Sequence, residues 1–347
     1  MKQKKNVLLA DCVAQEVMPL AKELMYDSQP FEVKVHISNW KRTGKISELK
    51  RYAVYFMVGF RYFLSRKKYA CVIGWQQFYA LIFCFFCSLF SVKKTAVTVA
   101  LNFTYKEKKG KLAGVYRWFM SKCLSEKYMD YLHVLSESYA DQIARDFGFP
   151  RERIIVTTFG IVDRGEELGQ LLPPEGQQKD GFALAIGRSN RDYDFLIEAW
   201  KEIDYPLVII SDTYGKETSA SNITILKNVA GEESYPWIAN CSLMVIPIDD
   251  GSICSGDTVL LTAMSVKRRI LVTKPSTLAE MYIQDGQNAV LVEKNISIFR
   301  DTVNKLLRDE ASVQLGEQAR TSFLNSFTID SMGRRITDIL QNESVAA

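Results

Sequence analysis

Two arginines stand three residues apart just beyond an apolar run, in the stretch "GFALAIGRSNRDYDFLIEAW" that begins at Gly181. Asp192 and Asp194 follow, and Phe195, Leu196, Ala199 and Trp200 recur at helical spacing, so either aspartate can cap a helix there. Arg188 and Arg191 then lie on the loop beside the free amides of a helix start. Two guanidinium groups in that position can hold a diphosphate by charge-assisted hydrogen bonds, or they can pair with Asp192 and Asp194 as ordinary surface. Asp192-x-Asp194 also has metal-ligand spacing, but a hard cation wants several oxygens and two are few, so no metal is assigned. A second cluster lies in "DDGSICSGDTVLLTAMS", from Asp249. Gly251 and Gly256 allow close backbone approach, and Ser255 and Thr258 put hydroxyls at the positive end of a helix. Such a turn holds an anion through backbone amides or is plain capping. It is not a P-loop, which closes on Gly-Lys-Ser/Thr, and the first strand, ending in Ala10-Asp11-Cys12, lacks a dinucleotide fingerprint.

The elements that must position these residues form two alternating series. Strands are predicted at Asn6 to Ala10, Phe31 to Ile37, Tyr69 to Ile73 and Thr95 to Ala100, with a helix over Val17 to Met25; "YLHVLS" and "RIIVTTFG" are further strands around the helix "ESYADQIARDFG". The pattern restarts at Phe182, with strands at Pro206 to Ser211, Ile223 to Leu226, Leu243 to Ile246 and Ile270 to Val272 and helices between them. Alternation of this kind implies parallel sheets with helices on both faces. The reading is therefore an N-terminal domain over residues 1–165, a linker over 166–180, a second domain over 181–325, and a C-terminal helix over 326–347 able to return to the first domain. Two such domains create a cleft. Ligands collect beyond the carboxyl ends of parallel strands, which makes Trp75, Gln76, Gln77 and Asn102 candidates for the second substrate. Asn228, after the strand "NITILK", is a candidate for contact with a nucleotide base. His36 and His133 both fall inside strand patterns and read as structural.

Charge is divided unevenly over the 347 residues. Met1 to Lys127 carries 23 Lys and Arg against 8 Asp and Glu, whereas the remainder carries 21 against 32. The basic half is rich in Tyr, Phe and Trp, with cations at Arg66-Lys67-Lys68 and Lys106 to Lys111, a combination that suits an anionic membrane surface more than nucleic acid, or else is a solvated face of no special use. The run Phe78 to Phe90 is too short to span a bilayer, which takes about 20 residues, and reads as a buried or interfacial helix. Seven cysteines inside mostly apolar runs, with no secretory signal pattern, favour the cytosol.

From "GRSNRDYDFLIEAW" through "DDGSICSGDTVLLTAMSVKRRILVTKPSTLAEMYIQDGQNAVLV", the chain resembles the C-terminal donor domain of the GT-B glycosyltransferases, in particular the large retaining group that includes bacterial capsular and exopolysaccharide enzymes. The resemblance covers roughly Gly181 to Val292. It implies two Rossmann-like domains facing a cleft. It implies transfer of a sugar from a nucleotide diphosphate sugar to a hydroxyl, without cofactor or metal; with the basic half read as a membrane-facing surface, the acceptor expected is a lipid-linked oligosaccharide at the inner face of the membrane. On this footing Arg188 and Arg191 bind the donor diphosphate, Ser255, Gly256, Asp257 and Thr258 bind diphosphate and sugar, and Glu280 with Asp285 to Val292 matches a later donor block. The chain departs from the family where two glutamates are usual eight residues apart, since Cys254 and Thr262 stand there. Asp250 or Asp257 is the nearest replacement for the first, and Thr262 can bond one ribose hydroxyl in place of the second.

Overall fold

The computed structural model describes residues 3–37, 45–110 and 112–344. Lys111, the last cation of the basic loop, lies outside them. The chain divides into two compact units, Met1–Phe159 with Ile329–Ala347, and Gly160–Thr328.

The first unit is built on a seven-stranded sheet of order β2-β3-β1-β4-β5-β6-β7. Its strands are β1 (Lys5–Ala10), β2 (Met25–Tyr26), β3 (Gln29–Val35), β4 (Tyr69–Gly74), β5 (Val97–Ala100), β6 (Tyr131–Val134) and β7 (Ile154–Val156). All pairings are parallel except the short β2–β3 hairpin. The hairpin is pinned by the buried Asn6, whose side-chain amide donates to the carbonyls of Tyr26 and Gln29 at 2.8 and 2.9 Å. Around the sheet lie α1 (Ala14–Glu23), α2 (Lys45–Leu64), α3 (Gln77–Leu89), α4 (Ala113–Cys123) and α5 (Glu137–Phe147). Helix α5 is closed at both ends. Ser136 Oγ accepts the Tyr139 amide at one end, and Gly148 takes the left-handed conformation with φ 64° at the other. Helix α3 is the apolar run Phe78 to Phe90, and it is buried along most of its length. Helix α2 was not expected; it packs along α3, and Gly59 makes the close approach, since a methyl group there would fall 2.6 Å from Ile82 Cγ2.

The second unit carries a six-stranded, all-parallel sheet of order β10-β9-β8-β11-β12-β13. Its strands are β8 (Ala183–Ile186), β9 (Leu207–Ile210), β10 (Ile223–Leu226), β11 (Leu243–Ile246), β12 (Arg269–Lys274) and β13 (Val290–Glu293). Its helices are α6 (Gly165–Gly169), α7 (Tyr193–Trp200), α8 (Tyr235–Asn240), α9 (Asp257–Ser265), α10 (Thr277–Tyr282), α11 (Ile296–Arg308) and α12 (Val313–Ser322). The strands are buried on both faces, which is why they read as continuous apolar runs. Residues 166–180, expected as a linker, fall within this unit. Leu168 on α6 is buried, and Asp163 just before it pairs with Arg320 at 2.5 Å, so the segment is anchored rather than extended. The chain changes unit at Phe159–Gly160 and again at Thr328–Ile329. Beyond the second change, α13 (Ile329–Ser344) packs on α1. Thr337 Oγ1 donates to the Glu23 carbonyl at 2.8 Å and accepts the Met25 amide at 3.0 Å.

Candidate functional site

In each sheet the strand order reverses beside its first strand, between β1 and β4 and between β8 and β11. Crevices at such switch points, beyond the carboxyl ends of the strands, are where doubly wound sheets bind ligands. In the second unit that end holds a cavity of about 330 Å³, within the usual range for small-ligand sites. The ends of β8 and β9 supply Ile186, Gly187 and Arg188, and Ile210, Ser211 and Asp212; the turn after β10 supplies Val229, Ala230 and Gly231; Ser234, just before α8, closes it with Tyr235 and Ile238 from α8, and Thr258, Val259 and Thr262 close it from α9.

Arg188 stands on this wall because β8 ends two residues earlier, at Ile186, and Gly187 turns with φ 153°. The Gly187 carbonyl accepts the Tyr193 hydroxyl at 2.8 Å, and the Arg188 carbonyl accepts Thr213 Oγ1 at 2.5 Å, so the backbone is fixed on both sides. The side chain itself is 68% exposed and, among the described residues, its one ion pair is a long one, 3.9 Å from Nε to Asp212 Oδ2. It is a fixed base carrying a cation available to an anion.

Arg191 does something different. Its guanidinium turns inward, with Nη1 donating to the carbonyls of Ser189 and Asn190 and to Ser255 Oγ, at 3.2 to 3.3 Å. A side chain on Gly187 or Gly256 would strike it, which explains glycine at both places. Nε is buried with no hydrogen-bond partner, and among the described residues Arg191 makes no ion pair. Burial pushes its pKa below the ordinary value, with Tyr193 and Asp257 opposing. The same burial pushes the Asp257 carboxyl up, against the pull of the backbone amides of Thr258 and Asp257 itself and the charge of Arg191. Arg191 thus braces the turn before α9 instead of standing beside Arg188 in the cavity. Its net effect on that turn is still a positive field, added to the helix terminus.

At the start of α9, Gly256 has φ 100°, and the Thr258 amide donates to Asp257 Oδ1 at 2.9 Å. One of the amides expected to face an anion is therefore engaged, and the Ser255 hydroxyl is occupied with Arg191. Thr262 is buried against the cavity and donates its proton to the Thr258 carbonyl at 2.7 Å, leaving its oxygen as an acceptor. Cys254 is a protonated thiol at neutral pH, pushed up to about 12 mainly by burial and next by Asp257. Asp250 lies outside the cavity lining, and its Oδ1 accepts the amide and hydroxyl of Ser252 at 2.9 and 2.6 Å, which holds its carboxyl below the ordinary range. Glu280 is exposed on α10, also outside the lining. Asn228 is exposed in a left-handed turn with φ 62°, its amide donating to Asp212 Oδ1 at 2.7 Å, and the three residues after it line the cavity. Asp192 caps α7 and pairs with Lys294, whereas Asp194 accepts from Tyr214 and Lys216. The two carboxylates are thus committed separately. Among the described residues no group of three or more His, Cys, Asp or Glu gathers to hold a metal ion. Sequence reasoning missed Ser211, Asp212, Ser234 and Tyr235; the first two were findable, as they directly follow a buried strand.

The first unit brings its four candidates to the ends of β4 and β5. Gln76 caps α3, and its Nε2 donates to Asp11 Oδ2 at 3.0 Å and to the Tyr55 hydroxyl at 3.2 Å. Gln77 clamps Thr104, accepting its amide at 2.9 Å and donating to its carbonyl at 3.1 Å. Both amides are spent on the fold. Trp75 stacks on Phe159 with ring centroids 6.0 Å apart. Asn102 sits at φ 52° with its Oδ1 buried and unpartnered, and its backbone amide donates to His133 Nδ1 at 3.1 Å. His133 is fully buried and held neutral, its pKa pressed down to about 4 by burial, with its other ring nitrogen on Thr157.

Comparison with known proteins bears on this arrangement. Residues 181–309 match the family model of glycosyl transferases group 1. An uncharacterized glycosyltransferase of Methanocaldococcus jannaschii is 26% identical over 163 residues, 44% of this chain, and the match spans 45% of that relative's length. Two solved structures are similar over nearly the whole chain. The Anabaena protein HepE, solved in complex with UDP, gives a TM-score of 0.65 at 12% identity, covering 97% of this chain and 100% of its own. Sucrose-phosphate synthase of Thermosynechococcus elongatus gives 0.64 at 10% identity, covering 99% and 100%. The architecture is the GT-B fold. Within this GT-B chain the cavity belongs wholly to the second unit, in the segment that the family model covers.

Proposed function

We propose that the protein is a glycosyltransferase that binds a nucleotide diphosphate sugar in the cavity of its second unit and transfers the sugar to a hydroxyl acceptor. The observation that carries this is Arg188, a lightly paired cation on a fixed backbone, facing a cavity closed by the start of α9 inside the segment that matches glycosyl transferases group 1. The complex of HepE with UDP supports the choice of donor class. In the transfer, the bond from sugar C1 to the diphosphate oxygen breaks and a bond from C1 to the acceptor oxygen forms. Negative charge grows on the departing diphosphate, where Arg188 and the dipole of α9 stabilise it. We infer retention of configuration: the departing phosphate oxygen takes the acceptor proton on the same face of the sugar, so no side-chain base is required. Asp250 fits the role of base poorly, being held in its own turn by Ser252.

The acceptor proposed is a lipid-linked oligosaccharide of a bacterial surface polysaccharide, met by the basic first unit at the cytoplasmic face of an anionic membrane, with Trp75 and Asn102 nearest the acceptor. The test is a screen of nucleotide sugars without acceptor, reading release of nucleoside diphosphate, followed by NMR of the anomeric configuration of the product formed on a polyprenyl-linked sugar. Hydrolysis of one donor and a retained anomer are the expected results. Tight binding of a nucleoside diphosphate with no turnover of any donor would instead make this a binding protein, a reading to which the loss of both family glutamates, at Cys254 and Thr262, lends support.

A further inference from the structure

Helix α2 buries Tyr55, Val58, Tyr62 and Phe63 against the first unit, yet a second apolar stripe runs along its outer side. Ile46, Leu49, Phe56, Met57, Phe60 and Leu64 are 39% to 74% exposed, and they recur at the three- and four-residue spacing of one helix face. From Ile46 to Leu64 the stripe runs about 27 Å at 1.5 Å per residue. Rings carry it onto the neighbouring helices. Phe60 meets Phe86 with centroids 4.8 Å apart, Phe63 meets the exposed Phe90 at 5.5 Å, and Phe56 reaches Phe85 at 6.5 Å, which in turn meets the half-exposed Trp118 of α4 at 5.8 Å. A monomer does not ordinarily expose so large a continuous apolar face without a partner.

Charge identifies the partner. Between Ile46 and Lys68 there are six Lys and Arg against a single acid, Glu48, and Lys50, Arg61, Lys67 and Lys68 are exposed. A second copy of the chain would set these cations against cations. An anionic lipid surface complements them and accepts the aromatic and aliphatic side chains below the headgroups. We propose that α2 lies in the plane of an anionic bilayer surface, inserting its outer stripe, with the exposed ends of α3 and α4 beside it. This rests on the surface-bound part of the function proposed above and is independent of its chemistry. Among the described residues no helix is long and apolar enough to cross a membrane, so attachment of this kind leaves the unit on one side.

The experiment is vesicle sedimentation with phosphatidylcholine alone and with an equimolar mixture of phosphatidylcholine and phosphatidylglycerol, at about 0.1 M and about 1 M salt. Light scattering of the free protein and calorimetric titration with UDP run in parallel. The wild type is expected to sediment with the anionic vesicles, less so at high salt, and hardly with the neutral ones. The double variant Met57→Glu, Leu64→Glu should partition at least about tenfold more weakly. Its melting temperature and UDP affinity should be unchanged, because both side chains are already 64% and 63% exposed. Absence of vesicle binding by the wild type, or equal binding by the variant, overturns the proposal. So does a dimer that the same substitutions dissolve in a protein that ignores vesicles, which would assign the face to a second copy. Failure to bind UDP with vesicle binding intact would count against the donor assignment and leave this surface standing.

Discussion

Arg188→Ala separates a binding role from a structural one because the two are predicted to differ widely in size. In the fold the guanidinium is 68% exposed, and its ion pair with Asp212 is 3.9 Å long. An exposed pair of that kind contributes roughly 0 to 1 kcal/mol, so the variant should melt within a few degrees of the wild type. Facing a diphosphate in a partly desolvated cavity, the same group forms a hydrogen bond between charges, worth about 1.5 to 3 kcal/mol. At about 1.4 kcal/mol per decade that is a loss of roughly 10- to 150-fold in affinity for nucleoside diphosphate. Isothermal titration with UDP and with GDP, beside a thermal melt, measures both quantities on one preparation. Arg188→Lys should recover only part of the loss, because an ammonium cannot make the planar two-pronged contact. A folded Arg188→Ala protein with unchanged affinity and unchanged donor turnover would show that the exposed cation is surface and that the cavity holds something else.

Two further outcomes follow from the backbone and from a buried histidine. Gly256→Ala places a methyl group against the Arg191 guanidinium at a residue with φ 100°, a conformation costing about 1 to 2 kcal/mol for an L residue; melting should fall by several degrees and nucleoside diphosphate affinity by more than about tenfold. Gly110→Ala is the control, since Gly110 has φ 89° but, among the described residues, nothing within 4 Å of an added methyl group, and equal effects of the two on nucleotide affinity would refute the bracing role of Arg191. His133 is neutral in the fold, with its pKa lowered from 6.5 to about 4. Its contribution to stability is therefore complete above pH 6.5 and is lost as pH falls toward 4, as the unfolded chain takes up the proton first. That amounts to about 3 kcal/mol. Urea unfolding at pH 7.5 and pH 4.5 should show the gap between wild type and His133→Gln shrinking by most of this amount, and parallel pH curves for the two proteins would contradict it.

The parallel strands, the buried helix α3 and the start of α5 were readable from residue order, because burial on both faces leaves an unbroken apolar run and because Ser136 caps through a neighbour only three residues away. The position of Arg188 was readable for the same reason: a strand end is a local event. Helix α2 was not, since apolar residues on its outer face blur the period that the inner face alone would have produced. The fates of the other candidate side chains were decided by tertiary contacts. Gln76 spends its amide on Asp11, 65 residues away, and Gln77 on Thr104, 27 away. Arg191 turns from the cavity toward Ser255, 64 residues away, through a gap that exists only because Gly187 and Gly256 lack side chains. Sequence by itself determined which polar groups reach the ends of strands. Only the folded chain decided which of them remain available there, because a hydrogen-bonding side chain takes the nearest partner in space, and its order along the chain does not fix what that partner is.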